Sequence, residues 1–190
     1  MKNFFYKLYF FLILSLLPLK LNAEVLKKAE VYGNERIAIE TVIVYGGIEK
    51  GKDYSQEDIN NIIKKLYETT FFKNILIEIQ NGVMTIRVEE NPIVHTIILK
   101  GEKAKKYKEV LFDLFKNREK SSFINNYIKS DINIMKEFYR SLGFYFVKID
   151  LEIETLQNNR VNLVYSIDKG EKAKIAKIYF LGDKKIREKK

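Results

Sequence analysis

Two periodicities alternate along the chain. From Ile75 the apolar positions step by two: Ile75, Ile77 and Ile79 alternate with Leu76, Glu78 and Gln80. Asn81-Gly82 follows, a pair that tolerates positive φ at both positions, and then Met84, Ile86 and Val88 alternate with Thr85, Arg87 and Glu89. Two half-buried strands joined by a tight hairpin are predicted. Upstream the step is helical: Ile59, Ile62, Ile63, Leu66 and Tyr67 make one stripe, with Ser55 placed as N-cap and Asp58 three residues on. A shorter helical segment carries Ile39, Val42 and Ile43, and the loop "YGGIEKGKDY" separates the two. Before all of these a strand ends in "VYGNERI", Val31 to Ile37.

The same plan returns. Ile93 to Leu99 reads as a strand ending at Gly101-Glu102-Lys103. Tyr107, Val110, Leu111, Leu114 and Phe115 form a helix stripe. Ser121-Ser122 offers an N-cap for a longer helix with Ile124, Tyr127, Ile128, Met135, Phe138, Tyr139 and Leu142, stopped by Gly143. Val147, Ile149, Leu151 and Ile153 then alternate with charged residues, and a turn around Gln157 to Asn159 leads to Val161, Leu163, Tyr165 and Ile167. The glycines after the opening strands, Gly33, Gly101 and Gly182, recur at intervals of about 70 to 80 residues, the signature of tandem small domains. Each unit reads β-α-α-β-β, an α+β class in which two helices cover one face of a three-stranded sheet and leave the other face wet. The expected organisation is a first unit over 24–91, a second over 92–170, and over 171–190 the start of an incomplete third, whose strand Ile175 to Phe180 precedes Gly182.

Residues 1–23 follow neither period. Lys2 and Lys7 precede an apolar stretch, Leu8 to Leu19, and Leu21-Asn22-Ala23 ends on a small residue. As a helix that stretch rises only about 18 Å, short of a hydrocarbon core of about 30 Å. A secretory signal cleaved between Ala23 and Glu24 is expected; an uncleaved anchor from Phe4 to Leu19 would have to accommodate Lys7.

Composition removes several chemistries. The chain has 190 residues and no cysteine, which excludes disulfides, thiolate metal sites and cysteine nucleophiles. Net charge is +9, a balance compatible with nucleic acid, anionic membrane or acidic partners. No basic helix or aromatic–basic stripe accompanies it, so it reads as a lysine-rich solvated surface with no nucleic-acid partner. His95 is the single histidine and lies in a strand without companions for a triad or a metal site. Glu89 and Glu90 point to opposite faces of one strand and cannot act as a carboxylate pair. Gly46, Gly51 and Lys52 fit the start of a phosphate loop, but Asp53 replaces its Ser or Thr and a helix precedes it where a strand is required. No catalytic, cofactor or metal site is expected.

The residues resemble a known family. "SQEDINNIIKKLYETTFFKNILIEI" and "MTIRVEENPIV", with Leu66-Tyr67-x-Thr69 before Phe72 and Val88-Glu89-Glu90-Asn91-Pro92-Ile93, look like the first polypeptide-transport-associated (POTRA) domain of the BamA family of outer-membrane assembly factors. "FYRSLGFYFVKIDLEI" resembles the corresponding stretch of a second such domain. Thr70 stands where the family usually has Gly, and Gly101-Glu102 where Gly-Asn is typical. Family members also carry further POTRA domains and a C-terminal transmembrane barrel, and nothing here reads as a run of barrel strands. The resemblance implies a mixed three-stranded sheet in each unit, a periplasmic location, and binding of unfolded outer-membrane proteins and accessory lipoproteins of the assembly (BAM) complex. It places the second strand of each unit at a sheet edge, within Lys73 to Gln80 and Tyr145 to Glu154. Strand addition there would use Asn74, Ile75, Leu76, Ile77, Glu78 and Ile79 in the first unit and Val147, Lys148, Ile149, Asp150, Leu151 and Glu152 in the second. Three alternatives share such domains: a two-partner secretion transporter, a cell-division scaffold of the FtsQ type, and a barrel-less extracytoplasmic adaptor.

Overall fold

The computed structural model describes residues 25–179, and the chain divides into two units, Met1–Glu90 and Asn91–Lys190. The expected signal segment and its Ala23–Glu24 cleavage point lie outside the described residues, as does Gly182.

The first unit is built around its hairpin. Asn81 and Gly82 take φ of 54° and 76°, the doubly positive pair that lets a two-residue turn follow the right-handed strand twist. They join β2 (Phe72–Gln80) to β3 (Val83–Glu90) in an antiparallel pair, with Ile77 opposite Ile86. The opening strand β1 (Lys28–Tyr32) pairs with β3 in parallel, so the sheet order is β1-β3-β2. Helix α1 (Ile39–Gly46) and helix α2 (Gln56–Glu68) form the chain between β1 and β2. At α2 the capping box is complete: the Ser55 hydroxyl accepts from the Asp58 N–H while the Asp58 carboxylate accepts from the Ser55 N–H. The Ser55 hydroxyl, which donates to the Asp58 carboxylate at 2.6 Å, and after it the Ser55 N–H hold the Asp58 carboxyl below its ordinary range. The stripe buries Ile62 and Leu66 against Val42, Ile75, Ile77, Met84 and Ile86, but Tyr67 stands exposed. The sequence stripe is one residue wider than the buried face.

The second unit repeats this order with β4 (Ile93–Lys100), α3 (Lys105–Leu114), α4 (Ile128–Ser141), β5 (Lys148–Leu156) and β6 (Arg160–Asp168). Its sheet order is β4-β6-β5, with β4 parallel and β5 antiparallel to β6. Leu111, Phe115, Met135, Tyr139, Leu163 and Tyr165 fill the core. Phe115 packs on Tyr165 with ring centroids 5.6 Å apart.

Four expectations need correction. Ser121 and Ser122 do not cap a helix: Ser122 bridges Ile93, the Ser121 carbonyl accepts from the Val94 N–H, and the Ser121 hydroxyl donates to the Arg118 carbonyl. Both residues extend the edge of β4, and a 3-10 turn, Asn125–Tyr127, leads into α4 instead. In α3, Val110 and Leu114 are exposed, so Leu111 and Phe115 carry the burial. Strand β5 begins at Lys148; Tyr145 and Phe146 occupy a turn and Val147 precedes the strand. Residues 175–179, where a strand was expected, form none, and Ile175, Ile178 and Tyr179 are exposed.

The glycines that opened the repeat do the same work twice. Gly33 and Gly101 sit at φ of 81° and 90°. A Cβ on Gly33 would lie 2.2 Å from the Val88 carbonyl oxygen, and one on Gly101 2.2 Å from that of Ile167. The chain leaving the first strand thus presses on the end of the last, a place only glycine can occupy.

Candidate functional site

The parallel β1–β3 and β4–β6 pairings put β3 and β6 at the centres of their sheets and leave β1 and β2 in the first unit, and β4 and β5 in the second, at the margins; Ser121 and Ser122 already bond part of the outer side of β4. β2 and β5 are each bonded on one side only. The N–H and C=O groups of every second residue therefore point outward, unpaired within the sheet.

On β2 the sequence alternation sets two faces. Phe72, Ile75 and Ile77 are buried, whereas Lys73, Asn74, Leu76, Glu78 and Gln80 are exposed and Ile79 is half-buried. A bulge between Phe72 and Asn74 shifts the register, and the Asn74 side-chain oxygen accepts from the Ile75 N–H at 3.0 Å. The charges on the wet face are matched across the sheet: Lys73 to Glu89 at 2.8 Å and Arg87 to Glu78 at 2.9 Å. Leu76 lies opposite Arg87 and is 50% exposed.

On β5, Ile149 is buried, Leu151 half-buried and Ile153 40% exposed on the core side. The opposite side carries Lys148, Asp150 and Glu152, exposed, and Glu154, half-buried, over a fully buried Val164 on β6. Their cross-strand neighbours on β6 are Asp168, Ser166, Val164 and Asn162, and among the described residues only Glu154 of these acids gains a bond, from the Asn162 amide at 3.0 Å. Every residue expected at the candidate edges except Val147 thus lies in β2 or β5.

Three buried carboxylates that hold the loops around these sheets escaped the sequence reading. Glu90, at the end of β3, accepts the N–H groups of Glu35, Arg36 and Ile37 on one oxygen at 2.7–2.9 Å, and Arg36 Nε lies 3.5 Å from the other. Glu102, two places before Ala104, accepts the Ala104 N–H at 2.8 Å, the Tyr139 hydroxyl at 2.7 Å and Lys169 Nζ at 2.9 Å. Burial alone would push the Glu102 carboxyl up, but the bonds from Ala104, Lys169 and Tyr139 outweigh it and leave it below its ordinary 4.5. Burial first, and the hydrogen bond it donates to Glu102 second, push the Tyr139 hydroxyl well above its usual value. Asp131 of α4 accepts the Lys116 and Asn117 N–H groups at 2.7 and 3.2 Å and the Asn117 amide at 3.0 Å. Asn34 and Glu102, each directly after a repeat glycine, were the available signal.

The remaining sequence candidates do not assemble into chemistry. His95 is exposed beside a bulge in β4. Gly46 ends α1, Asp53 bridges Val25, and Lys52 Nζ lies 3.7 Å from Asp58 and 5.2 Å from the centre of the Tyr54 ring, so these residues do not form a phosphate loop. Glu89 and Glu90 diverge, one to Lys73 and the other to the Glu35–Ile37 amides.

A family model described as POTRA, surface antigen variable number repeat, matches residues 92–170. Over 174 residues the chain is 28% identical to the outer membrane protein assembly factor BamA of Neisseria meningitidis serogroup B, a match covering 90% of this chain and 22% of that protein. It is 21% identical over 161 residues to BamA of Neorickettsia risticii, covering 85% and 22%. The chain thus spans roughly a fifth of the length of these curated relatives. The N-terminal domain of Omp85 from the thermophilic cyanobacterium Thermosynechococcus elongatus shares the fold, with a TM-score of 0.50 at 14% identity over 74% of this chain and 61% of that one.

Proposed function

We propose that the chain is the periplasmic receiving region of an outer-membrane assembly protein of the BamA family, a reading supported by the POTRA model over residues 92–170 and by the likeness to BamA over most of the chain. In this reading β2 and β5 pair with extended segments of unfolded outer-membrane proteins, and accessory lipoproteins of the assembly complex dock on the same modules. The observation that carries the reading is the position of β2 and β5 at the sheet margins, each with one row of main-chain groups facing outward. The names of the curated relatives, outer membrane protein assembly factors, support the cellular setting.

Main-chain pairing suits a receiver of many clients. An arriving strand finds N–H and C=O groups at the strand spacing whatever its side chains, so affinity comes without a demand for one sequence. The role is binding, with no chemical step for the chain to perform. Helices α1 and α2, and α3 and α4, cover one face of each sheet, so the margin is the geometry left for an extended guest.

Photoreactive residues placed singly at Leu76 on β2 and Thr155 on β5, with Lys64 on α2 and Glu137 on α4 as exposed controls, test the proposal against an unfolded outer-membrane barrel protein. Adducts should concentrate at the two margins. Equal yields from the helices, or none from the margins, would overturn strand addition.

A further inference from the structure

The β2 and β5 margins differ in charge, and the difference points to a class of guest. On β2 the charges are already satisfied within the sheet, Lys73 by Glu89 and Glu78 by Arg87. On β5, Asp150 faces Ser166 and Glu152 faces Val164, and neither acid has a cationic partner among the described residues. On the other side of β5, Leu151 is half-buried and Ile153 is 40% exposed, so the apolar layer runs out at this strand incompletely covered.

Resting on the strand-addition reading above, we propose that β5 selects extended segments in which apolar residues alternate with lysine or arginine. The geometry follows from the pleat. Side chains directly opposite on adjacent antiparallel strands have Cβ atoms about 4.5–5.5 Å apart, and one face of the guest must match one face of β5. With its basic residues beside Asp150 and Glu152, its apolar residues fall on the core side, where they extend the layer over Leu151 and Ile153. A guest with acids at those positions meets two like charges and is rejected. β2 makes no such choice, because an incoming charge there would have to compete with ion pairs already formed.

The test uses nine-residue synthetic peptides alternating valine with lysine, serine or glutamate, titrated into the isotope-labelled full chain while backbone amide signals are followed. The lysine peptide should shift the amides of β5 with about tenfold tighter binding than the glutamate peptide, given two exposed charge positions that each attract one and repel the other. That preference should shrink with added salt, and D150K/E152K should reverse it, while signals from β2 discriminate little among the three peptides. Equal binding of all three at β5 would overturn the charge selection and leave strand addition standing. No shift at β5 with any peptide would overturn strand addition at this margin and the selection with it. A lysine peptide that moves only surface signals outside β5 would show generic charge attraction and would also overturn the proposal.

Discussion

The first unit and the second solve one problem with opposite wiring. In both, the chain turns away from its opening strand at a glycine pressed against the carbonyl of the closing strand, Gly33 on Val88 and Gly101 on Ile167. In both, a buried carboxylate secures the turn. In the first unit the acid sits on the closing strand, Glu90, and reaches over to three main-chain N–H groups of the turn. In the second the acid sits in the turn itself, Glu102, and reaches back to Lys169 just past the closing strand and to Tyr139 of α4. The backbone geometry has been kept while the chemistry that fastens it has changed sides. A main-chain constraint admits only glycine, whereas a buried charge needs partners and accepts them from either strand.

Gly101→Ala should cause the largest loss, about 3 kcal/mol or more, because its Cβ cannot sit 2.2 Å from a main-chain oxygen without moving a strand. Hydrogen exchange resolved by segment should show the loss in the second unit, and Gly33→Ala should do the same to the first. If either is neutral, the shared geometry is not a constraint. Glu102→Ala comes next, at about 3 kcal/mol, since it strands Lys169 and the Tyr139 hydroxyl together. Glu90→Ala should cost about 2 kcal/mol, the loss of an acceptor for three main-chain donors, visible as faster exchange at Glu35 to Ile37. Reversal of the order of these two would show that the main-chain clamp is the stronger fastening.

Acid sharpens the same contrast. The Glu102 carboxyl lies below its ordinary 4.5 in the folded chain. Its contribution is therefore complete above that value and is lost as pH falls through the lowered one. Urea titrations between neutral pH and pH 3 should show part of the second unit's acid destabilisation vanish in Glu102→Gln. A slope unchanged by that substitution would contradict the assignment. The smallest effect expected is at Tyr165, whose hydroxyl is buried without a hydrogen-bond partner among the described residues. Tyr165→Phe should change stability by less than about 1 kcal/mol, or raise it, by chemical denaturation.

Local signals carried far along this chain. Ser55 and Asp58 announced α2, Asn81-Gly82 announced the β2–β3 hairpin, and the alternation from Ile75 to Ile79 assigned faces to a strand without knowledge of its neighbours. Each of these depends on residues close in sequence. The failures depend on distant partners. Ser121 and Ser122 have good capping chemistry, but Ile93 and Val94 recruit them into a bridge. Asp131 lies on the buried side of α4, where an acid looks misplaced until the Lys116 and Asn117 amides are seen against it. The uncompensated charge of Asp150 and Glu152 emerges only from the register that sets them opposite Ser166 and Val164. The order of strands in each sheet was implied by resemblance alone, because no local pattern says which strand ends in the middle.

That order also governs the sequence of events during synthesis. Each domain opens with a strand whose hydrogen-bonded neighbour is the last one made, so β1 waits for β3 and β4 waits for β6. A nascent polypeptide emerging N-terminus first can form its helices and then its hairpin early, but it cannot seal a domain until the final strand has cleared the ribosome. Closure comes late and all at once. A chain cut short before β6 leaves β4 searching for a mate, the same condition in which the proposed guests would arrive.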